Sequence, residues 1–261
     1  MGKITDALKK AAEDRFERIE KINKIKEHKS IVLKKKDGSK VDSRIVSYYD
    51  PKALISEQFK ILRTNVLSAG KGKAPKVLVL TSSIHSEGKT VVSLNLAVSI
   101  AHATKKPKVL LIDADMRRGR IGKYLGVEHP LGLSDVLSGQ AELEEALFNI
   151  DMDHLSFMTS GAVPPNPVEL LDSEKMESLL LDLKKRFDHI IIDTPPIISV
   201  TDAGIIGAKS DGVLMIIQAG RTQRGIVSRA AELLHQSHTR ILGHVLTNVE
   251  YHLPEYIYRY L

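Results

Sequence analysis

The 261-residue chain contains no cysteine. That absence removes three chemistries together: a disulfide framework, a thiol nucleophile and a cysteine-ligated zinc site. No run approaches the roughly 18 apolar residues of a membrane-spanning helix. The N-terminal stretch is charged throughout, unlike a secretory leader, so the expected compartment is the cytoplasm. Ten histidines are scattered without metal-ligand spacing, and no internal repeat is visible. What the chain does have is a hydrophobic content of 43%. That suffices for one large α/β domain with appendages.

The charge is uneven. Residues 1–44 hold 14 Lys/Arg and 8 Asp/Glu, a surplus of 6 that equals the formal net charge of +6, and the remainder holds 24 of each. A basic arm can meet anionic lipid or nucleic acid, or simply be a solvated helix and linker. Within it Ile4, Leu8, Ala12, Phe16 and Ile19 recur every three to four residues, which predicts an amphipathic helix over 3–27. The stretch "KKKDGSKVD" (34–42) reads as an exposed linker. Three segments are expected: an arm over 1–44, a domain over 45–250 and a tail over 251–261.

From position 76 the pattern alternates. Short apolar runs at 76–82, 108–115, 154–161, 189–196, 212–220 and 241–249 read as strands, with helices at 89–103, 176–187 and 226–237. Continuous apolar strands separated by helices predict a doubly wound, mostly parallel α/β sheet covered on both faces. Ligands of such sheets bind at the carboxyl ends of the strands.

Three strand ends carry matched chemistry. The first is "SIHSEGKT", Ser83 to Thr90, against the phosphate-loop pattern G-x-x-x-x-G-K-[ST]. Gly88, Lys89 and Thr90 fit, and Ser83 stands where the first glycine is usual. Backbone N–H groups at the start of a helix still form an anion cradle. Ser83, His85, Ser86, Glu87, Gly88, Lys89, Thr90 and Val91 are therefore the candidate nucleotide contacts. Lys89 would reach the β- and γ-phosphates and Thr90 would ligate Mg²⁺. The second end is "LLIDADMRR", with Asp113 and Asp115, and the third is "IIIDTPP", with Asp193. Three carboxylates at one sheet edge are costly unless a cation holds them, and Mg²⁺ takes oxygen ligands. If the strand persists, Asp113 and Asp115 share a face, one holding metal and the other accepting a proton. Asn248 ends the last strand and is a candidate base contact. Arg117, Arg118 and Arg221 lie where strand ends meet the site.

These motifs resemble the bacterial protein-tyrosine kinases of exopolysaccharide and capsule synthesis. "TSSIHSEGKT" resembles their Walker A loop, in which the first glycine is commonly serine. "LLIDADMRRGR" resembles their Walker A′ motif and "IIIDTPP" their Walker B motif. "GLSDVLSG" (132–139), "GAVPPNPVELL" (161–171) and "VTDAGIIGAKSDGVLMIIQAGRT" (200–222) continue the likeness. The arm, with "ITDALKKA", is similar to stand-alone members linked to exosortase polysaccharide loci. The resemblance implies a P-loop fold of the deviant Walker A type using ATP and Mg²⁺. It implies phosphate binding by Lys89 and metal binding by Thr90, Asp113 and Asp193, with Asp115 or Asp113 as the base. It also implies autophosphorylation of a C-terminal tyrosine cluster: Tyr251, Tyr256, Tyr258 and Tyr260 fall within "YHLPEYIYRYL". A ring of subunits would use an E-x-x-R-x-x-R helix; here Glu57 and Arg63 match it and Lys60 replaces the middle arginine, keeping the charge without the bidentate fork. A membrane adaptor of the polysaccharide co-polymerase type would activate the kinase, and a phosphotyrosine phosphatase would reset it. The alternatives are a ParA/MinD-like ATPase, or a nucleotide switch that transfers no phosphate. The first is disfavoured by Ile84, where those proteins carry lysine, and no nucleic-acid partner is expected.

Overall fold

The structure is a computed structural model and describes residues 40–69, 74–128 and 130–249. The expected arm helix and the four tail tyrosines lie outside the described residues. Among the described residues two helices precede the sheet, α1 (Val46–Tyr49) and α2 (Leu54–Ser68). Then follow β1 (Val77–Ser82), α3 (Lys89–Ala101), β2 (Val109–Asp113), α4 (Ile121–Leu125), α5 (Leu133–Ser138), α6 (Leu143–Ala146), β3 (Leu147–Asn149) and β4 (Leu155–Met158). The remainder is α7 (Pro167–Asp172), α8 (Glu174–Arg186), β5 (His189–Asp193), α9 (Asp202–Ala208), β6 (Gly212–Gln218), α10 (Arg224–Gln236) and β7 (Ile241–Thr247).

The seven strands among the described residues stand in the order β3-β4-β2-β5-β1-β6-β7. Every pair is parallel except β3 with β4. The parallel sheet follows from the apolar runs: β1, β2 and most of β5 and β6 are buried on both sides. Alternate residues of β1 serve different cores. Val77 and Val79 join Leu133, Leu171, Leu183 and Leu234, beneath α5 and α7–α10. Leu78 and Leu80 join Ile45, Val66, Leu96 and Ile121, beneath α1–α4. The packing extends upstream of the boundary expected near Ile45: Val41 and Ile45 are themselves buried in that second core.

The topology places the chemistry. β2, β5 and β1 are neighbours at the centre, with Leu80 opposite Asp193 and Asp113 opposite Asp193 in register. The loops leaving these three strands therefore share one edge. The strands proposed from sequence are all present, each somewhat shorter. The additions are α1, β3 and the short helices α4–α7 and α9.

Candidate active site

The loop after β1 is shaped by two left-handed residues, Ser86 (φ 66°) and Gly88 (φ 91°). Ser83 is not among them, which explains why glycine is dispensable there. Its hydroxyl is buried without a hydrogen-bond partner, so the Ser83 side chain turns into the protein rather than toward the cradle. Gly88 needs its glycine for conformation rather than space: the nearest atom to an added Cβ would be Thr247 Cγ2, at an ordinary 3.6 Å. The Glu87 side chain also points inward. Its carboxylate accepts from Ile84 N (2.8 Å), Gln218 N (3.2 Å) and the Thr222 hydroxyl. It stiffens the loop, and Glu87 itself does not line the phosphate pocket. Arg221 donates to the Ser86 carbonyl at 3.1 Å and braces the same turn.

Lys89 opens α3 and projects among the carboxylates, 3.3 Å from Asp193 Oδ2 and 3.6 Å from Asp115 Oδ2. Burial pulls its ammonium down, but Asp193, Asp115 and Asp113 outweigh that and hold its pKa above the ordinary lysine value. Asp193 is fully engaged. Thr90 Oγ1 donates to its Oδ2 at 2.6 Å and Ser93 Oγ to its Oδ1 at 3.0 Å. Ser93, one turn after Lys89 on the same helix face, is a site residue that motif reading missed.

The two aspartates of the β2 loop part company. The strand ends at Asp113, so the shared-face expectation for Asp113 and Asp115 fails. Asp113 Oδ2 accepts from Arg120 N (2.7 Å) and Ile121 N (2.9 Å), and Oδ1 accepts from Asp115 N (3.1 Å). Burial, then repulsion from Asp193, pushes Asp113 up to about 7, against the pull of the Ile121 N–H, Lys89 and the Arg120 N–H. Asp113 borders a cavity lined also by Gly119, Thr159, Ser160 and Gly161. Gly119 is obligatory for a different reason than Gly88: a Cβ there would come within 2.2 Å of Ser160 Oγ. Asp115 instead lines the phosphate-loop pocket, with His85, Ser86, Gly88, Lys89, Thr90, Val91, Arg118, Arg120 and Tyr124. Its Oδ1 accepts from Arg118 N at 3.0 Å. Arg120 and Tyr124 were not foreseen, because the turn into α4 alone brings them there.

Arg117 reaches buried Asp202 at 3.4 Å, which ties the β2 loop to the start of α9. Burial raises the Asp202 pKa and Arg117 opposes the rise. Asn248 adopts φ 52° and lines a groove of about 850 Å³ between α2 and β7, beside Ser86, Gly88 and Val91. That volume falls in the range of small-molecule sites, roughly 300–1,000 Å³. The E-x-x-K-x-x-R helix is α2. Glu57 and Lys60 pair with each other at 2.6 Å on the surface. Arg63 donates to the Ser99 carbonyl on α3 at 2.6 Å.

The residues fit a hydrated divalent cation. Thr90 donates its proton to Asp193, which leaves the oxygen lone pairs of its hydroxyl free. Among the described residues no cluster of three or more His, Cys, Asp or Glu is arranged to hold a metal alone. A cation here would therefore complete its shell with nucleotide phosphate and water, as Mg²⁺ does.

A family profile described as an AAA domain matches residues 76–241. Over 216 residues the chain is 37% identical to the tyrosine-protein kinase YwqD of Bacillus subtilis (strain 168), covering 83% of this chain and 90% of that protein. It is 39% identical over 201 residues to the tyrosine-protein kinase CpsD of Streptococcus agalactiae, covering 77% and 86%. The kinase domain of the Escherichia coli tyrosine kinase ETK matches with a TM-score of 0.73 at 31% identity, covering 80% of this chain and 84% of that one. No helix among the described residues is long and apolar enough to cross a membrane.

Proposed function

Because the chain belongs to the bacterial tyrosine-protein kinases, we propose that it transfers the γ-phosphoryl group of ATP to tyrosines of its own tail, Tyr251, Tyr256, Tyr258 and Tyr260, in trans within an oligomer. By that modification it would regulate exopolysaccharide synthesis and export.

One observation carries the reading: Asp115 lines the phosphate pocket 3.6 Å from Lys89, whereas Asp113 is held by backbone N–H groups. Asp115 is the base. Its carboxylate takes the phenolic proton. The phenolic oxygen bonds to the γ-phosphorus, and the bond to the β-phosphate bridge breaks, releasing ADP. The loop N–H groups and Lys89 hold the phosphates where charge accumulates. Mg²⁺, held by Thr90 with Asp193 and Asp113 behind it, would neutralise phosphate charge. Asn248 and the groove beside Val91 would take the base. Each phosphorylation adds about −1.5 to −2 charges, so a modified tail is repelled by the Asp113–Asp115–Asp193 edge and leaves.

Oligomerisation would use the outer face of α2, where Glu57 and Lys60 sit beside exposed Leu54, Ile55 and Ile61. Arg63 belongs to the α2–α3 contact instead. A membrane adaptor of the polysaccharide co-polymerase type would bring the kinase to the inner face of the membrane, and a phosphatase would reverse the modification.

The test is phosphotyrosine on the purified chain with Mg·ATP, with and without an adaptor's cytosolic segment, beside Lys89→Met and a chain ending at Glu250. Signal lost in both controls is expected. ATP binding without phosphotyrosine, even with bound adaptor, overturns the reading and favours an ATPase or a nucleotide switch. Nucleotide-dependent sedimentation with lipid or DNA separates those two.

A further inference from the structure

The mouth of the phosphate pocket is basic in a specific way. Arg118 and Arg120 line it, beside Tyr124. Both are exposed. Their roots are fixed close to the reacting centre, since Arg118 N is bound to Asp115 and Arg120 N to Asp113. Among the described residues, however, neither guanidinium is in an ion pair. The neighbouring cations are committed: Lys89 to Asp193 and Asp115, Arg117 to Asp202, Arg44 to Asp42 at 2.8 Å, and Arg221 to the Ser86 carbonyl. Two uncommitted guanidinium groups therefore stand at the rim of a pocket that must admit a tyrosine.

The tail sequence is not uniform towards such a rim. In "EYHLPEYIYRYL" the residue before Tyr251 is Glu250 and before Tyr256 is Glu255. Ile257 precedes Tyr258, and Arg259 precedes Tyr260. When a tyrosine enters the pocket, the preceding residue, its Cα about 3.8 Å from that of the tyrosine, stays at the mouth. Its side chain lies within reach of the long, exposed Arg118 and Arg120 side chains that line the rim. A carboxylate there satisfies Arg118 or Arg120, an isoleucine does not, and an arginine is repelled.

Resting on the tail-kinase reading above, we propose that Arg118 and Arg120 select acceptor tyrosines by an acidic preceding residue. Tyr251 and Tyr256 are the early acceptors, Tyr258 is late and Tyr260 is last. The substrate class is a tyrosine directly preceded by glutamate or aspartate, in the tail of a second copy of this chain or in another protein. The discrimination is electrostatic and exposed, so it is modest, about three- to fivefold per pair, and it weakens as ionic strength shortens the Debye length.

The experiment follows each tail site by mass spectrometry during the first turnovers of the full chain with Mg·ATP, at low and high salt. Tyr251 and Tyr256 should lead, with the lead shrinking in salt. Glu255→Gln should move Tyr256 into the late group. Ile257→Glu should move Tyr258 into the early group. Both substitutions lie outside the described residues, and the melting temperature of each variant, compared with the parent's, separates a change of order from a loss of stability. Arg118→Gln with Arg120→Gln should bring the four rates together. Phosphorylated tails whose order ignores Glu255→Gln and Ile257→Glu overturn the selection while leaving the kinase reading intact. Arginine variants that raise KM for ATP and slow all four sites by one factor also overturn it, because the guanidinium groups then serve nucleotide phosphate. Tails with no phosphotyrosine at all remove both proposals.

Discussion

The centre of the sheet and its β7 edge are built to opposite rules. At the centre β1, β2 and β5 are apolar on both faces and end in carboxylates. At the edge β7 pairs only with β6 among the described residues, and His244 and Leu246 face outward, with Leu246 59% exposed. Burial at the centre gives fixed charges at short range and perturbed proton affinities. At the edge, apolar side chains are exposed beside a strand with one described neighbour, the kind of surface that a partner can cover. The charges gather at the centre and the exposed apolar side chains at the edge, and the groove containing Asn248 lies between them.

The sharpest division within the centre is between Asp115 and Asp113. Asp115→Asn should reduce phosphotyrosine formation by about 10²–10⁴-fold, the usual contribution of a general base, while ATP still binds. Asp113→Asn should instead disturb the loop, because three backbone donors converge on that carboxylate and Asn offers them one acceptor oxygen fewer. Phosphotyrosine rates and ATP affinity, measured together, separate the two. Equal loss of ATP binding in both variants would put Asp115 in the binding shell rather than in the proton transfer.

The centre should also show its charge crowding in a pH titration. Asp113 keeps its proton up to about 7 in the folded protein, against about 4 for an unfolded aspartate. Between those values the folded state binds a proton that the unfolded chain has released. Stability from this group therefore falls as pH rises from about 4 to about 7. In nucleotide-free, metal-free buffer the wild type should lose on the order of 4 kcal/mol across that window relative to Asp113→Asn. Denaturation at pH 5, 6, 7 and 8 measures it, and parallel curves for the two proteins would show that Asp113 does not titrate there.

How much of this was legible follows the same division. The central strands announced themselves because burial on both faces leaves only apolar residues in the run. Asp113 and Asp193 were legible because they close those runs, Asp115 because it follows two residues after Asp113, and Lys89 and Thr90 because they complete the phosphate-loop pattern. β3 was not, since its three residues are too few for a period to register. The inward turns of Ser83 and Glu87 were hidden because a motif specifies residue types, not side-chain directions. The different surroundings of Asp113 and Asp115 depend on where β2 stops, and sequence locates strand ends poorly. Arg120 and Tyr124 reach the pocket only through the turn into α4.

At the edge the expected effects are smaller for the fold and larger for assembly. Leu246→Asp and Ile61→Asp change side chains that are 59% and 54% exposed, so monomer stability should move by no more than about 0.5 kcal/mol. If α2 and β7 meet a second copy, these variants should shift the oligomer toward monomer in light scattering and slow transphosphorylation. Unchanged mass and rate would leave the edge without that role.

The smallest effect tests whether α2 belongs to the centre or to the edge. Arg63 is the terminal residue of the E-x-x-K-x-x-R pattern, yet its guanidinium donates to Ser99 O near the end of α3. A cation there also meets the negative end of the helix dipole. Arg63→Ala should therefore cost about 1 kcal/mol and lower Tm by about 2–4 °C in a domain of this size, while leaving the assembled mass largely unchanged. Arg63→Lys keeps the charge and should recover most of the loss. The opposite result, an unaltered Tm with assembly abolished, would mean that Arg63 leaves Ser99 for a neighbour. The anchor of α2 would then lie in the oligomer rather than in the fold.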